Sequence, residues 1–277
     1  MNTTPKTRAA SVFPPFKGET SMHRKSWINR NSKLVGVALA AGMALGLAGT
    51  ASAALFMDDF SSDTSGDYTH RDTFNSGGSF SINTTTQQLT LNAANNNTST
   101  ITHDTARLGV GEVFVMEVSA FTAGKDIAMF VSNQAAPPNF NLSGGSRNGF
   151  RFFAHPNFGW EIRKLVNGTS TSFITTTSPV DPVPTTSQAL SMYIFRDTAT
   201  DFRFGFDLGS GLQILDFASG ATTHSELGND LWIGSEIFGR DGSGSLTLDS
   251  LAIVPEPSTL VLLGIALGSV AMRRRRR

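Results

Sequence analysis

Phe202-Arg203-Phe204-Gly205-Phe206-Asp207-Leu208 puts three phenylalanines and a leucine on one side of an extended chain and Arg203 and Asp207 on the other. Successive side chains of a strand point to opposite faces, so this stretch can bury one face and wet the other only as a β-strand. The same two-residue period recurs at residues 79–82, 88–91, 113–118, 127–131, 190–195 and 246–253, between clusters of Gly, Asn, Asp, Ser and Thr. A helical period is almost absent. About a dozen such strands with so little helix predict an all-β body of two stacked antiparallel sheets. Asn167-Gly168, between residues 160–166 and 169–177, predicts a two-residue hairpin turn, whose central positions both need positive φ.

The two ends of the chain follow different rules. Arg24, Lys25, Arg30 and Lys33 precede an apolar run at 34–48 and the small-residue exit Ala51-Ser52-Ala53. This is the layout of a signal peptide, implying handling by the Sec machinery and signal peptidase, with the mature chain starting at Ala54. Met22, just ahead of the basic cluster, is read as the translation start. At the other end, residues 260–272 are uncharged and are followed by five arginines, Arg273 to Arg277. Thirteen residues span about 20 Å as a helix, short of the ~30 Å hydrocarbon core, so the tail is a short transmembrane helix with its arginines reaching the cytoplasmic interface.

Val254-Pro255-Glu256-Pro257-Ser258-Thr259-Leu260, the short apolar stretch and the terminal Arg cluster resemble the PEP-CTERM sorting signal of Gram-negative bacteria. The resemblance implies recognition by an exosortase near Val254, Pro255, Glu256 and Pro257. It also implies transient anchoring in the inner membrane, then delivery to the outer surface or an extracellular exopolysaccharide or biofilm matrix. Two prolines hold the segment extended, a shape that a peptidase cleft accepts. A plain single-span anchor is the alternative. The chain is thus divided into a signal region at 1–53, a β-sandwich at 54–253 and the sorting signal at 254–277.

The formal net charge of zero conceals an acidic body. Residues 54–250 hold ten basic and twenty acidic residues, a net charge near −10, which excludes nucleic acid as a natural partner. The chain has no cysteine, so in an oxidising compartment its stability depends on core burial.

Asp58-Asp59-Phe60 near the start, the central GWEIRKLVNGTS hairpin and the closing LWIGSEIFGRDGSGSLTLDSLAI resemble the concanavalin A-like lectin/glucanase sandwich. That resemblance implies a jelly-roll topology and a structural calcium, with Asp249 as its carried-over ligand. Asp58 and Asp59 offer further hard oxygens near the first strand, although ordinary solvated carboxylates remain the alternative there. The glucanases' Glu-x-Asp-x-x-Glu triplet is missing, Glu112 and Glu117 should point to opposite faces, and Glu161 has no acidic neighbour on its strand. His70, His103, His155 and His224 lie among turn-forming residues and are read as solvated loop positions, with no zinc-type spacing. Aromatic platforms for sugar stacking are sought at Phe153, Phe158 and Trp232. Trp160 shares a face with Ile162 and is expected inside. The resulting expectation is an exported, non-catalytic surface or matrix protein with a lectin-like sandwich for polysaccharide contact or adhesion. A glycan-active hydrolase or lyase on the same scaffold is the alternative.

Overall fold

A computed structural model describes residues 55–256 apart from 73–76, 135–146, 156–158, 172, 178–179, 185 and 229. The signal region, Phe158, Pro257 and the apolar tail lie outside the described residues. Among the described residues sixteen strands are formed: β1 (Phe56–Asp58), β2 (Tyr68–Asp72), β3 (Ser79–Asn83), β4 (Gln88–Ala93), β5 (Thr98–Leu108), β6 (Glu112–Phe121), β7 (Asp126–Ser132) and β8 (Gly149–His155), then β9 (Gly159–Val166), β10 (Thr169–Ser170), β11 (Ile174–Thr175), β12 (Leu190–Arg196), β13 (Phe202–Asp207), β14 (Gln213–Leu215), β15 (Leu231–Phe238) and β16 (Gly244–Pro255). One short 3-10 turn at Ser65–Asp67 is the only helix among the described residues, and no helix there is long and apolar enough to cross a membrane.

The strands form two eight-stranded sheets. The first runs β14-β13-β12-β6-β16-β4-β3 with β1 also on β16; the second runs β10-β9-β8-β7-β15-β5-β2 with β11 also on β9. All the strand pairs are antiparallel, which permits the one-face-buried alternation seen in the sequence. Asn167 and Gly168 have φ of 48° and 77°, and Thr169 pairs with Val166 across them, so the expected tight hairpin forms.

The core lies between the sheets. Phe202, Phe204 and Phe206 of β13 project from the first sheet, and Phe150, Phe152, Trp160 and Ile162 of β8 and β9 from the second. Phe150 meets Phe202 at 5.0 Å, Phe152 meets Phe204 at 5.5 Å, and Trp160 stacks on Phe206 at 4.0 Å. Trp160 is therefore inside, 1% exposed, with its indole N–H donating to Asp181 O at 2.9 Å.

The histidines depart from expectation. His103, His155 and His224 are buried, and His70 is half-buried on β2. His103 belongs to β5, whose threonines look like turn residues but are β-branched strand formers. Its ring packs edge-on against Phe56 and Tyr68 at 4.5 and 4.9 Å, and its Nδ1 accepts the Ala106 N–H at 3.0 Å. His224 Nε2 lies 2.8 Å from Leu165 O. The His103 and His224 rings thus each have the polar partner that burial demands.

Candidate functional site

The second sheet buries its apolar face against the first and turns the other face outward. Because opposed residues of an antiparallel pair share a face, the register identifies what that outer face carries. Phe238 lies between Thr98 and Asp126, while Glu236 lies between Thr100 and Ala128. Ala128 faces Phe153, which faces Glu161, which faces Thr175. Phe130 faces Arg151, and Arg151 faces Arg163. Four central strands thereby bring Asp126, Arg151, His155, Glu161, Arg163 and Glu236 onto one surface.

Apart from the half-buried Arg163, these polar groups are buried although they face away from the core. Glu236 is 1% exposed and Glu161 3%. Arg151 is ion-paired with Glu236, its guanidinium lying 4.2 Å from the Phe153 ring centre. Asp126 has His155 Nε2 at 3.4 Å from one oxygen and Arg240 Nη2 at 3.4 Å from the other. Arg240 is held from behind by Lys125, whose ammonium donates to the Arg240 carbonyl. Arg163 lies over Phe173 at 3.5 Å, and Phe173 in turn packs edge-on against Phe153 at 5.1 Å. Between them is a cleft of ≈ 140 Å³ lined by Thr98, Asp126, Arg151, Phe153, Arg163, Phe173, Phe238 and Arg240.

Burial dominates the electrostatics. It raises the Asp126 carboxyl above the usual carboxylate range against the pull of His155 and Arg240, and it lowers His155 in spite of Asp126. Glu161 is likewise raised by burial, with Arg163 opposing. Among the described residues, Glu161 Oε2 and Glu236 Oε2 are buried without a hydrogen-bond partner.

The residues singled out in the sequence are placed as follows. Phe153 lines the cleft, but its ring is covered by Arg151 and Phe173. Trp232 shares the outer face at its far end, half-buried beneath Arg107 at 3.7 Å. Asp58 is buried and accepts from the Phe60 N–H, the Thr64 hydroxyl and the Tyr68 hydroxyl at 2.9, 2.7 and 2.8 Å. Asp59 is exposed and caps Ser61 N at 3.0 Å, and Asp249 is exposed and accepts from the Gln88 amide at 2.9 Å. No group of three His, Cys, Asp or Glu able to hold a metal ion occurs among the described residues. Asp58, Asp59 and Asp249 therefore do not make a cation donor set on their own.

The cluster of Asp126, Glu161 and Glu236 was invisible to a search for carboxylates along one strand, because β7, β9 and β15 supply one each. A signal was nevertheless present: Arg151 and His155 on β8, and Glu161 and Arg163 on β9, place charge at the outward positions of otherwise apolar strands.

Residues 254–277 match the PEP-CTERM protein-sorting motif. No curated protein matches the chain. In fold, the chain is similar to a Bacillus subtilis protein of unknown function with a galectin-like fold, at 11% identity and TM-score 0.51, over 73% of this chain and 96% of that one. It is similar at 10% identity and TM-score 0.51 to a protein from a study of endo-acting O-glycanases of the human gut microbiota, over 73% of this chain and 99% of that one. The exoplasmic/lumenal domain of VIP36, bound to Ca2+ and Man3GlcNAc, is similar at 14% identity and TM-score 0.47, over 68% of this chain and 83% of that one. The chain thus joins a galectin-like, concanavalin A-like sandwich to a C-terminal PEP-CTERM sorting motif.

Proposed function

We propose that this is an exported surface or matrix protein, processed by an exosortase at its C-terminal motif, that uses the cleft on the outer face of its second sheet to hold a single sugar residue of a glycan. The observation that carries the sugar reading is the orphaned Glu161 Oε2, at the strand position paired with Phe153, which lines a cleft that combines aromatic rings with arginine and carboxylate groups. A buried acceptor short of a hydrogen bond is costly on its own and is satisfied by a ligand hydroxyl. The cleft volume is below the ~300–1,000 Å³ of pockets that enclose a drug-sized ligand, which favours one ring or a chain end over a polysaccharide stretch. Glycan arrays probed with residues 54–253 test this. Binding that is lost in Arg163→Ala with the fold intact supports it, whereas blank arrays remove it.

Hydrolysis or lyase action at the same face is the second reading, favoured by the raised Asp126 and Glu161, which would keep a proton available to a leaving group. The strand order weighs against it. The raised groups Asp126 and Glu161 are two strands apart, about 10 Å between backbones before their offset along the strands, and Glu161 and Glu236 are three strands apart, about 14 Å, against ~5–9.5 Å between the carboxyl groups of paired glycosidase residues. Glu161→Gln separates the readings, because it abolishes turnover of a bound glycan but still offers an amide to a bound hydroxyl.

Calcium bound near Asp249 and the first strand would draw on backbone carbonyls in addition to these carboxylates. A higher melting temperature of the body in calcium than in chelator supports such a site, and equal temperatures exclude it.

A further inference from the structure

We infer that the sandwich contains a binding site for its own sorting motif, formed by Arg203, Asp197 and the Gly111 carbonyl, and that processing requires the end of β16 to leave it. This rests on reading residues 254–257 as an exosortase substrate.

The motif does not begin where the sheet ends. β16 continues along β6, with Val254 opposite Val113 and Pro255 opposite Glu112. One residue further, Glu256 N donates to Gly111 O at 2.9 Å. Neighbouring residues of a strand direct their backbone groups to opposite sides. The Glu256 N–H faces β6, so the donor that Pro255 lacks belongs to the other side, and proline fits here without breaking a ladder bond.

The Glu256 carboxylate is ion-paired with Arg203. That guanidinium is already oriented: it makes two bonds of 2.7 Å to Asp197 and lies 4.8 Å from the Phe195 ring centre. Asp197 is fixed in turn by the β12–β13 turn, where its N–H donates to Asp201 O at 3.0 Å and Thr198 Oγ1 donates to Asp201 Oδ2 at 2.8 Å. The acceptor carbonyl is held as well, because Gly111 N donates to Arg196 O at 2.7 Å. An oriented arginine and an oriented carbonyl thus receive the motif's acidic side chain and its amide.

A peptidase that binds an extended substrate by strand addition needs those same backbone groups. Sheet and exosortase therefore compete for Glu256. Once the body has folded, cleavage waits for the last residues of β16 to peel from β6 and from Arg203.

Two measurements on the full chain test this. In an exosortase-bearing host, pulse-chase labelling follows loss of the C-terminal segment from four chains with unaltered motifs: wild type, Arg203→Ala, a flexible Gly-Ser spacer inserted between Ile253 and Val254, and the remote core change Ile101→Val. Early processing is expected to rise about threefold in Arg203→Ala and further with the spacer, and to stay unchanged in Ile101→Val. Wild-type rates in both Arg203→Ala and the spacer chain overturn the inference, as does an equal acceleration by Ile101→Val. Hydrogen exchange of the purified full chain in detergent reads the site independently of any peptidase. A protected Glu256 amide that exchanges about threefold faster in Arg203→Ala is expected. A wild-type amide exchanging at the unstructured rate overturns the site, whereas a protected amide with no processing of any chain sinks the sorting reading instead.

Discussion

Trp160 of the second sheet lies flat on Phe206 of the first, with ring centres 4.0 Å apart and planes 12° from parallel. The pair joins the two sheets near the ladder formed by Phe150, Phe152, Phe202 and Phe204. Truncating a fully buried aromatic removes its transfer free energy and leaves a cavity. Phe206→Ala is expected to cost about 3–5 kcal/mol, read as a lower urea midpoint with an unchanged slope.

The Arg151–Glu236 pair calls for a different outcome from single and double replacement. Glu236→Ala leaves a buried guanidinium without its counter-charge and is expected to destabilise by about 3–5 kcal/mol. Replacing both residues together, Arg151→Met with Glu236→Leu, is expected to be close to neutral. Denaturant unfolding of the two variants checks the contrast.

Burial lowers His103, His155 and His224 below their ordinary value of 6.5. In that window the unfolded chain binds more protons than the folded one, so stability is complete above pH 6.5 and is lost as pH falls through the folded values. Asp126 and Glu161, raised by burial, act in the opposite direction from their ordinary 3.8 and 4.5 upward. The melting temperature is expected to rise from about pH 5 to about pH 6.5 and to level off above it, and His224→Gln to flatten that rise.

Gly234 has a steric role on the outer face. A Cβ there would lie 2.1 Å from the Phe130 ring and 2.3 Å from Ile101 O. The carbonyl is backbone and cannot swing aside. Gly234→Ala is therefore expected to cost about 1–3 kcal/mol, measurable by thermal unfolding.

The fold was legible because its period is local. Phe202 to Leu208 announces which side of β13 is buried, and Asn167-Gly168 announces a turn, without reference to anything distant. The face that forms the cleft was not, since Asp126, Glu161 and Glu236 come onto one face only through the order of β7, β9 and β15, and strand order is a long-range property. The histidines misled for a related reason: His103 sits among threonines that serve a strand as readily as a turn, and only its packing against Tyr68 and Phe56 decides between them. The sorting motif was recognisable from its residues alone, but its docking on Arg203 was not, because fifty-three positions separate Arg203 from Glu256.

β1 pairs antiparallel with the last part of β16, with Phe56 opposite Ile253 and Leu55 N bonded to Ile253 O at 2.8 Å. The body's first and last strands consequently enter and leave side by side. A pulling force applied between them meets the β1–β16 ladder as a zip, one bond at a time, and not as a shear in which every bond resists together. Traction from a membrane or a matrix on both ends would open this seam at low load while the Trp160–Phe206 layer behind it stays closed.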